Sequence, residues 1–176
     1  MHYDAIENKH GFRHDPFKAL VSPRPIGWIA SVSLDGICNL APYSYFNAVS
    51  DQPHYVMFSS KNIKDSVRNI QATGEFTCSL STWDTRDSMN LSSAPLPPRV
   101  DEFPIADLTT APSQFVKPPR VKESPAALEC RYWKTIELPD VAPGSDQGHF
   151  MVIGQVVGIY IDCLLYTSPS PRDGLL

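Results

Sequence analysis

Residues 24–33 read RPIGWIASVS, and residues 34–50 continue as LDGICNLAPYSYFNAVS. The first run places apolar, β-branched and aromatic side chains at both odd and even positions, so an extended chain there is apolar on both faces. Such a strand is stable only when covered on two sides. Leu34-Asp35-Gly36 follows as a hairpin turn signal, because Gly36 can take φ > 0 without steric cost. Ile37 to Ala41 reads as the return strand. Pro42 has no N–H to give to a ladder and is expected to end it. Tyr43–Ser50 is aromatic and polar by turns, Asp51-Gln52-Pro53 makes a turn, and Tyr55–Ser60 is a further short strand.

Beyond this hairpin region the period changes. Ile63, Val67 and Ile70 recur at i, i+4 and i+7, the stripe of an amphipathic helix. Asn62 is its expected N-cap, with Asp65 three residues on, and Gly74 its expected stop. Phe76, Cys78 and Leu80 then alternate with hydroxyl residues as a half-buried strand, and a short helix is expected near Asp84–Asn90. Residues 92–125 hold eight of the 17 prolines and keep no period. A segment that long without structure of its own is expected to be functional or packed over the core, not a domain linker. Ala127–Leu138 alternates again, and Pro139–Gly148 is a loop. His149–Asp162 is the strongest strand, with Gly154 and Gly158 at expected bends or close backbone approaches. The reading is mainly β with minor α, a small antiparallel barrel in one domain.

Composition narrows the function classes. With 176 residues there is length for one sizeable core. A formal charge of −4 argues against general nucleic-acid binding, which depends on Lys and Arg neutralising phosphates. No stretch approaches the roughly 20 apolar residues of a membrane helix, so no membrane partner is expected. Residues 1–14 are polar and lack the apolar core of a signal peptide; a flexible N-terminal segment is expected there. The four cysteines are widely spaced without a C-x-x-C pair, which suits reduced thiols in a cytoplasm. His10 and His14 have metal-like spacing, but they flank Gly11 near a chain end, and no metal site is expected.

Two stretches carry candidate chemistry. Residues 59–66, SSKNIKDS, run from the end of a strand into a helix start. A helix N-terminus offers unpaired N–H groups and the positive end of the helix dipole, while Lys61 and Lys64 add charge and Ser59, Ser60 and Ser66 add donors. That combination suits one phosphate, although a solvated helix start would have the same composition. Residues 39–47, NLAPYSYFN, join flat aromatic surface to hydrogen-bonding groups, the mixture a planar heterocycle needs. Ordinary core aromatics beside a turn would look alike. His149 opens the last strand and is expected at a barrel rim. No G-x-G-x-x-G or phosphate-loop motif occurs, so a nicotinamide would bind without a Rossmann domain.

Taken in order, SPRPIGWIASVSLDGICNLAPYSYFNAVS, FSSKNIKDSVRNI, VDEF with VKPPRVKESPAALEC, and HFMVIGQVVGIYID resemble the flavin reductase-like, FMN-binding split-barrel family, from about Asp15 to Asp162. The resemblance implies a six-stranded antiparallel split β-barrel over residues 15–162 and a homodimer with FMN near its interface. It also implies hydride transfer from NADH or NADPH to flavin, often as the small partner of a two-component monooxygenase. Related members act instead in electron transfer, and a wider group oxidises phosphorylated pyridoxal-type vitamers. Carried over, Ser59, Lys61, Lys64 and Ser66 take the FMN phosphate, and Ala41, Pro42, Tyr43, Ser44 and Asn47 line the ring and ribityl chain. Arg24 reaches the flavin or its phosphate, and His149 is the candidate catalytic residue beside flavin and nicotinamide.

The C-terminus breaks the pattern. Residues 163–173, CLLYTSPSPRD, resemble one reading frame of a sequencing-library adapter throughout. Residues 163–176 are therefore expected to be foreign to the natural chain, a C-terminal truncation of the family pattern, with native sequence continuing past Asp162.

Overall fold

The computed structural model describes residues 1–97, 99–139 and 148–167, so most of the loop expected at 139–148 and the end of the C-terminal segment lie outside the described residues. A one-turn helix, α1 (Phe17–Leu20), precedes four strands: β1 (Gly27–Val32), β2 (Cys38–Tyr43), β3 (Phe46–Asp51) and β4 (His54–Lys61). Helix α2 (Asp65–Thr73) and strand β5 (Glu75–Ser79) follow. The proline-rich region is approached by α3 (Arg86–Leu91) and contains α4 (Glu102–Ile105) and the short strands β6 (Thr110–Ala111) and β7 (Arg120–Val121). Two long strands, β8 (Ala126–Leu138) and β9 (His149–Ile161), and the short helix α5 (Cys163–Thr167) complete the described chain.

The main sheet is antiparallel with strand order β2-β1-β5-β8-β9-β4-β3. Its two edge strands are consecutive in sequence, separated only by Ser44 and Tyr45. The Tyr45 carbonyl accepts the Ser59 N–H at 2.8 Å. One run therefore pairs with β1 through its first half and with β4 through its second, which curls the sheet back on itself. The expected six strands become seven in this order because that run is interrupted at Ser44–Tyr45. Pro42 does not end β2 as expected: it sits opposite Trp28 inside the ladder, and the strand runs on to Tyr43. That position is tolerable because β2 is an edge of the order, where a missing N–H need not cost a ladder bond.

Strand β1 is covered twice, as its composition requires. Ile29 belongs to the inner core with Phe58, Phe76, Cys130 and Val152, sealed at one end by Val67 and Ile70 of α2. Trp28 and Ala30 face outward into a second core with Leu40, Phe103 and Val121. Each large side chain so buried contributes about 1.5–3 kcal/mol. The proline-rich region supplies the outer cover, tied down by long-range hydrogen bonds. Trp28 Nε1 donates to Ser92 Oγ at 2.9 Å, Thr77 Oγ1 to the Pro119 carbonyl at 2.7 Å, and the Val121 N–H to Ser79 Oγ at 3.1 Å. Glu102 accepts the Leu40 N–H at 2.8 Å from a buried position. Burial raises its carboxyl pKa above the ordinary glutamate value, and the Leu40 and Glu102 backbone hydrogen bonds oppose that shift.

The glycines of β9 are close approaches. A Cβ on Gly154 would lie 2.4 Å from the fully buried Phe76 ring, and one on Gly158 would lie 2.4 Å from the Phe115 ring. Phe76 cannot move without disturbing the inner core, whereas Phe115 is half exposed. Gly154→Ala should therefore cost about 1–3 kcal/mol, read as a lower urea midpoint, and Gly158→Ala should cost less. Glu102 yields a pH prediction. Between the ordinary glutamate pKa and its raised value, the folded state holds more protons than the unfolded state, so stability falls as pH rises through that window. Glu102→Gln removes this titration. Its unfolding midpoint should gain on the wild type as pH rises from about 4 to about 7, and parallel curves would contradict the assignment.

Candidate functional site

A cleft of about 520 Å3 opens where the β2–β3 break meets the start of α2. This volume falls within the range of small-ligand sites. One wall is Ala41–Tyr45, and Ser59, Lys61, Lys64 and Ser66 line the end at the α2 start, with Asp65 among them. Eight of the eleven residues singled out in the sequence thus line one space: Ala41, Pro42, Tyr43, Ser44, Ser59, Lys61, Lys64 and Ser66.

The α2 end of the cleft is built by the local conformation. Asn62 is not the N-cap: it takes φ 66°, and α2 begins three residues later with Lys64 at the cap position. The first helical hydrogen bond runs from Arg68 N–H to the Lys64 carbonyl at 3.0 Å. No side chain caps the helix, so the amides of its first turn keep their donor capacity. The Asp65 carboxylate would oppose an anion there, but it is engaged by Arg68 in an ion pair within the same turn.

Tyr43 lies beneath this end. Its ring packs on Phe58 with centroids 4.5 Å apart. Its hydroxyl is buried near Ser66 and Ser60, with no hydrogen-bond partner among the described residues. Burial raises the phenol pKa further above its ordinary value, the neighbouring hydroxyls opposing the shift. A buried donor left without an acceptor is costly. An anion held at the α2 start would face Lys61, Lys64 and the free amides, so the donor set present fits a phosphate.

Three anticipated residues lie outside the cleft lining. Arg24 Nη1 donates to the Val21 carbonyl at 2.9 Å and to the Lys18 carbonyl, so the guanidinium ties down the segment after α1. It also lies 5.8 Å from the Tyr45 ring centroid and borders a separate apolar groove. The Asn47 side-chain oxygen accepts the Ala48 N–H at 2.9 Å, on exposed strand β3. His149 is the exposed first residue of β9, opposite Lys61 in the β4–β9 ladder, one strand removed from the cleft wall.

The structure adds residues that the sequence reading missed. Ser92–Leu96 and Glu102 also line the cleft, and so does Asn39, the first residue of the 39–47 stretch already singled out. No periodic signal marks Ser92–Leu96. Their placement comes from the Trp28–Ser92 hydrogen bond, between residues 64 apart in sequence.

Comparison with known proteins agrees with this architecture. Residues 20–168 match the flavin reductase like domain model. A protein of Aquifex aeolicus is 41% identical over 127 residues, which span 69% of this chain and 65% of that protein, just under two thirds of its length. Among solved structures, nitrilotriacetate monooxygenase component B from Bacillus cereus is 30% identical with a TM-score of 0.83, covering 96% of this chain and 84% of that one. A split barrel domain protein of Shewanella frigidimarina shares the fold at 22% identity, with a TM-score of 0.78 over 93% of this chain and 81% of that one. The sheet that closes through Ser44–Tyr45 is accordingly a split barrel, and the chain belongs to the flavin reductase like domain family.

Proposed function

We propose that this chain binds FMN in the cleft between the β2–β3 break and the α2 start, and works as an NADH- or NADPH-dependent flavin reductase. The observation that carries the reading is the uncapped α2 N-terminus, facing the cleft together with Lys61, Lys64, Ser59 and Ser66. Flavin, when bound, supplies the hydride-accepting chemistry. The protein's own part is binding, orientation and exclusion of water. Lys61 and Lys64 neutralise the phosphate, and the first-turn amides and Ser66 donate to it. Ala41, Pro42, Tyr43 and Ser44 line the ring and ribityl chain, and Ser92–Leu96 cover them from the other side. His149 and Asn47 lie on neighbouring strands and would reach the site only through the open side of the cleft.

The resemblance to component B of a monooxygenase supports a role as the reductase partner of an oxygenase. A homodimer is part of the same reading. An apolar groove of about 500 Å3 runs past Phe46, Leu80, Leu128 and Ile159, and Leu80, Ile159 and Ile161 remain exposed around it. An apolar patch of this kind suits a second copy of the chain. Among the described residues no helix is long and apolar enough to cross a membrane.

Two measurements test the proposal. Adding FMN and NADH or NADPH to the purified chain should give FMN-dependent loss of nicotinamide absorbance. FMN retained with no nicotinamide turnover would favour an electron-transfer flavoprotein instead. Lys61→Ala with Lys64→Ala should weaken FMN binding by about 1.5–3 kcal/mol for each charged hydrogen bond removed and leave riboflavin binding nearly unchanged. Unaltered FMN affinity would remove the phosphate assignment.

A further inference from the structure

Below the α2 end of the cleft lies a buried polar pair. Asn39 sits on β2 and Ser66 in the first turn of α2, and both are buried. Asn39 Nδ2 donates to Ser66 Oγ at 2.9 Å. A hydroxyl has one proton and two lone pairs, and this bond occupies a lone pair. The Ser66 proton is consequently available elsewhere. Both side chains border the cleft, beside the uncapped first turn of α2.

We propose that Asn39 positions the Ser66 hydroxyl as a donor into the cleft, so that the chain distinguishes a phosphorylated flavin from its unphosphorylated parent. The inference rests on the FMN reading above and adds a residue that acts through another. The polarity of the buried partner decides the outcome. An amide donor beneath Ser66 leaves the serine proton for a phosphate oxygen. An acceptor beneath it would draw that proton down and turn the Ser66 lone pairs toward the anion. Asn39 is thus a positioning residue, and its effect should be confined to ligands that carry the phosphate.

A double-mutant cycle on flavin binding tests this, with FMN and riboflavin titrated by fluorescence quenching. The variants are Asn39→Asp, Ser66→Ala and the pair together. Asn39→Asp keeps the shape of the side chain and reverses its polarity. Each single change should weaken FMN binding about tenfold, the scale of one hydrogen bond to a charged acceptor, and shift riboflavin by less than about twofold. In the Asn39→Asp background, Ser66→Ala should cost almost nothing further. If the buried aspartate prevents folding, as a thermal melt would reveal, Asn39→Ala takes its place, and Ser66→Ala must again cost less in that background. Additive losses, or equal losses for FMN and riboflavin, would overturn the inference while leaving FMN binding intact. A wild-type chain that binds neither flavin would overturn both this inference and the proposed function.

Discussion

Strand β1 has two apolar faces, and the rest of the molecule is arranged to cover both. Ile29 looks into the barrel and needs β4, β5, β8 and β9 around it. Trp28 and Ala30 look outward and need a second layer. A barrel alone would leave those outer side chains in water. The proline-rich region resolves this with little regular structure of its own: Phe103 and Val121 fill the outer core, and Ser92, Glu102 and Pro119 hydrogen-bond to residues of β1, β2 and β5. Proline suits the task, since a segment with pre-set φ loses less conformational entropy on being laid down.

Closure and site formation share one origin. The run that leaves β1 must pair with β1 first and with β4 afterwards, and the change of partner occurs at Ser44–Tyr45. A ladder interrupted there leaves backbone and side chains of 41–45 facing an open space. The end of β4 delivers Ser59 and Lys61 to the same place, and the left-handed Asn62 turns the chain so that α2 starts with its amides toward it. Barrel and cleft are therefore not separable designs: a mutation that restored an unbroken ladder at Ser44–Tyr45 would remove a wall of the cleft.

What could be read from the amino-acid order follows these distinctions. The double-faced run of β1, the helix α2 and the strand β5 depend on neighbours within a few residues, and each element is present in the structure. Ile63, however, lies exposed before α2, and Leu80 lies exposed beyond β5. Thr77 and Ser79 are buried, so β5 is covered on both faces and not half-buried. At the start of α2 the sequence is ambiguous because asparagine is both a good cap and tolerant of positive φ, and here the second property prevails. Pro42 does not end its strand because its cost depends on which edge of which strand it occupies, a tertiary fact. Arg24, which the resemblance places at the flavin, is instead claimed by two backbone carbonyls. Ser92–Leu96 fall in the 92–125 segment expected to be functional or packed over the core, but nothing local assigns them to the cleft, since only contacts far apart in sequence bring them there.

The two sides of the cleft differ in how they are anchored. Ala41–Tyr43 belong to a ladder that also encloses the core, so changes there propagate into the whole barrel. Ser92–Leu96 lie on a surface segment outside the sheet, held near the cleft by the Trp28–Ser92 hydrogen bond and the Glu102–Leu40 contact. Substitutions between Ser93 and Leu96 can reshape what the cleft admits while its α2 end and the barrel stay as they are. The scaffold is in this sense a fixed socket with an exchangeable face, and divergence in what the site accepts has a short stretch of chain in which to accumulate.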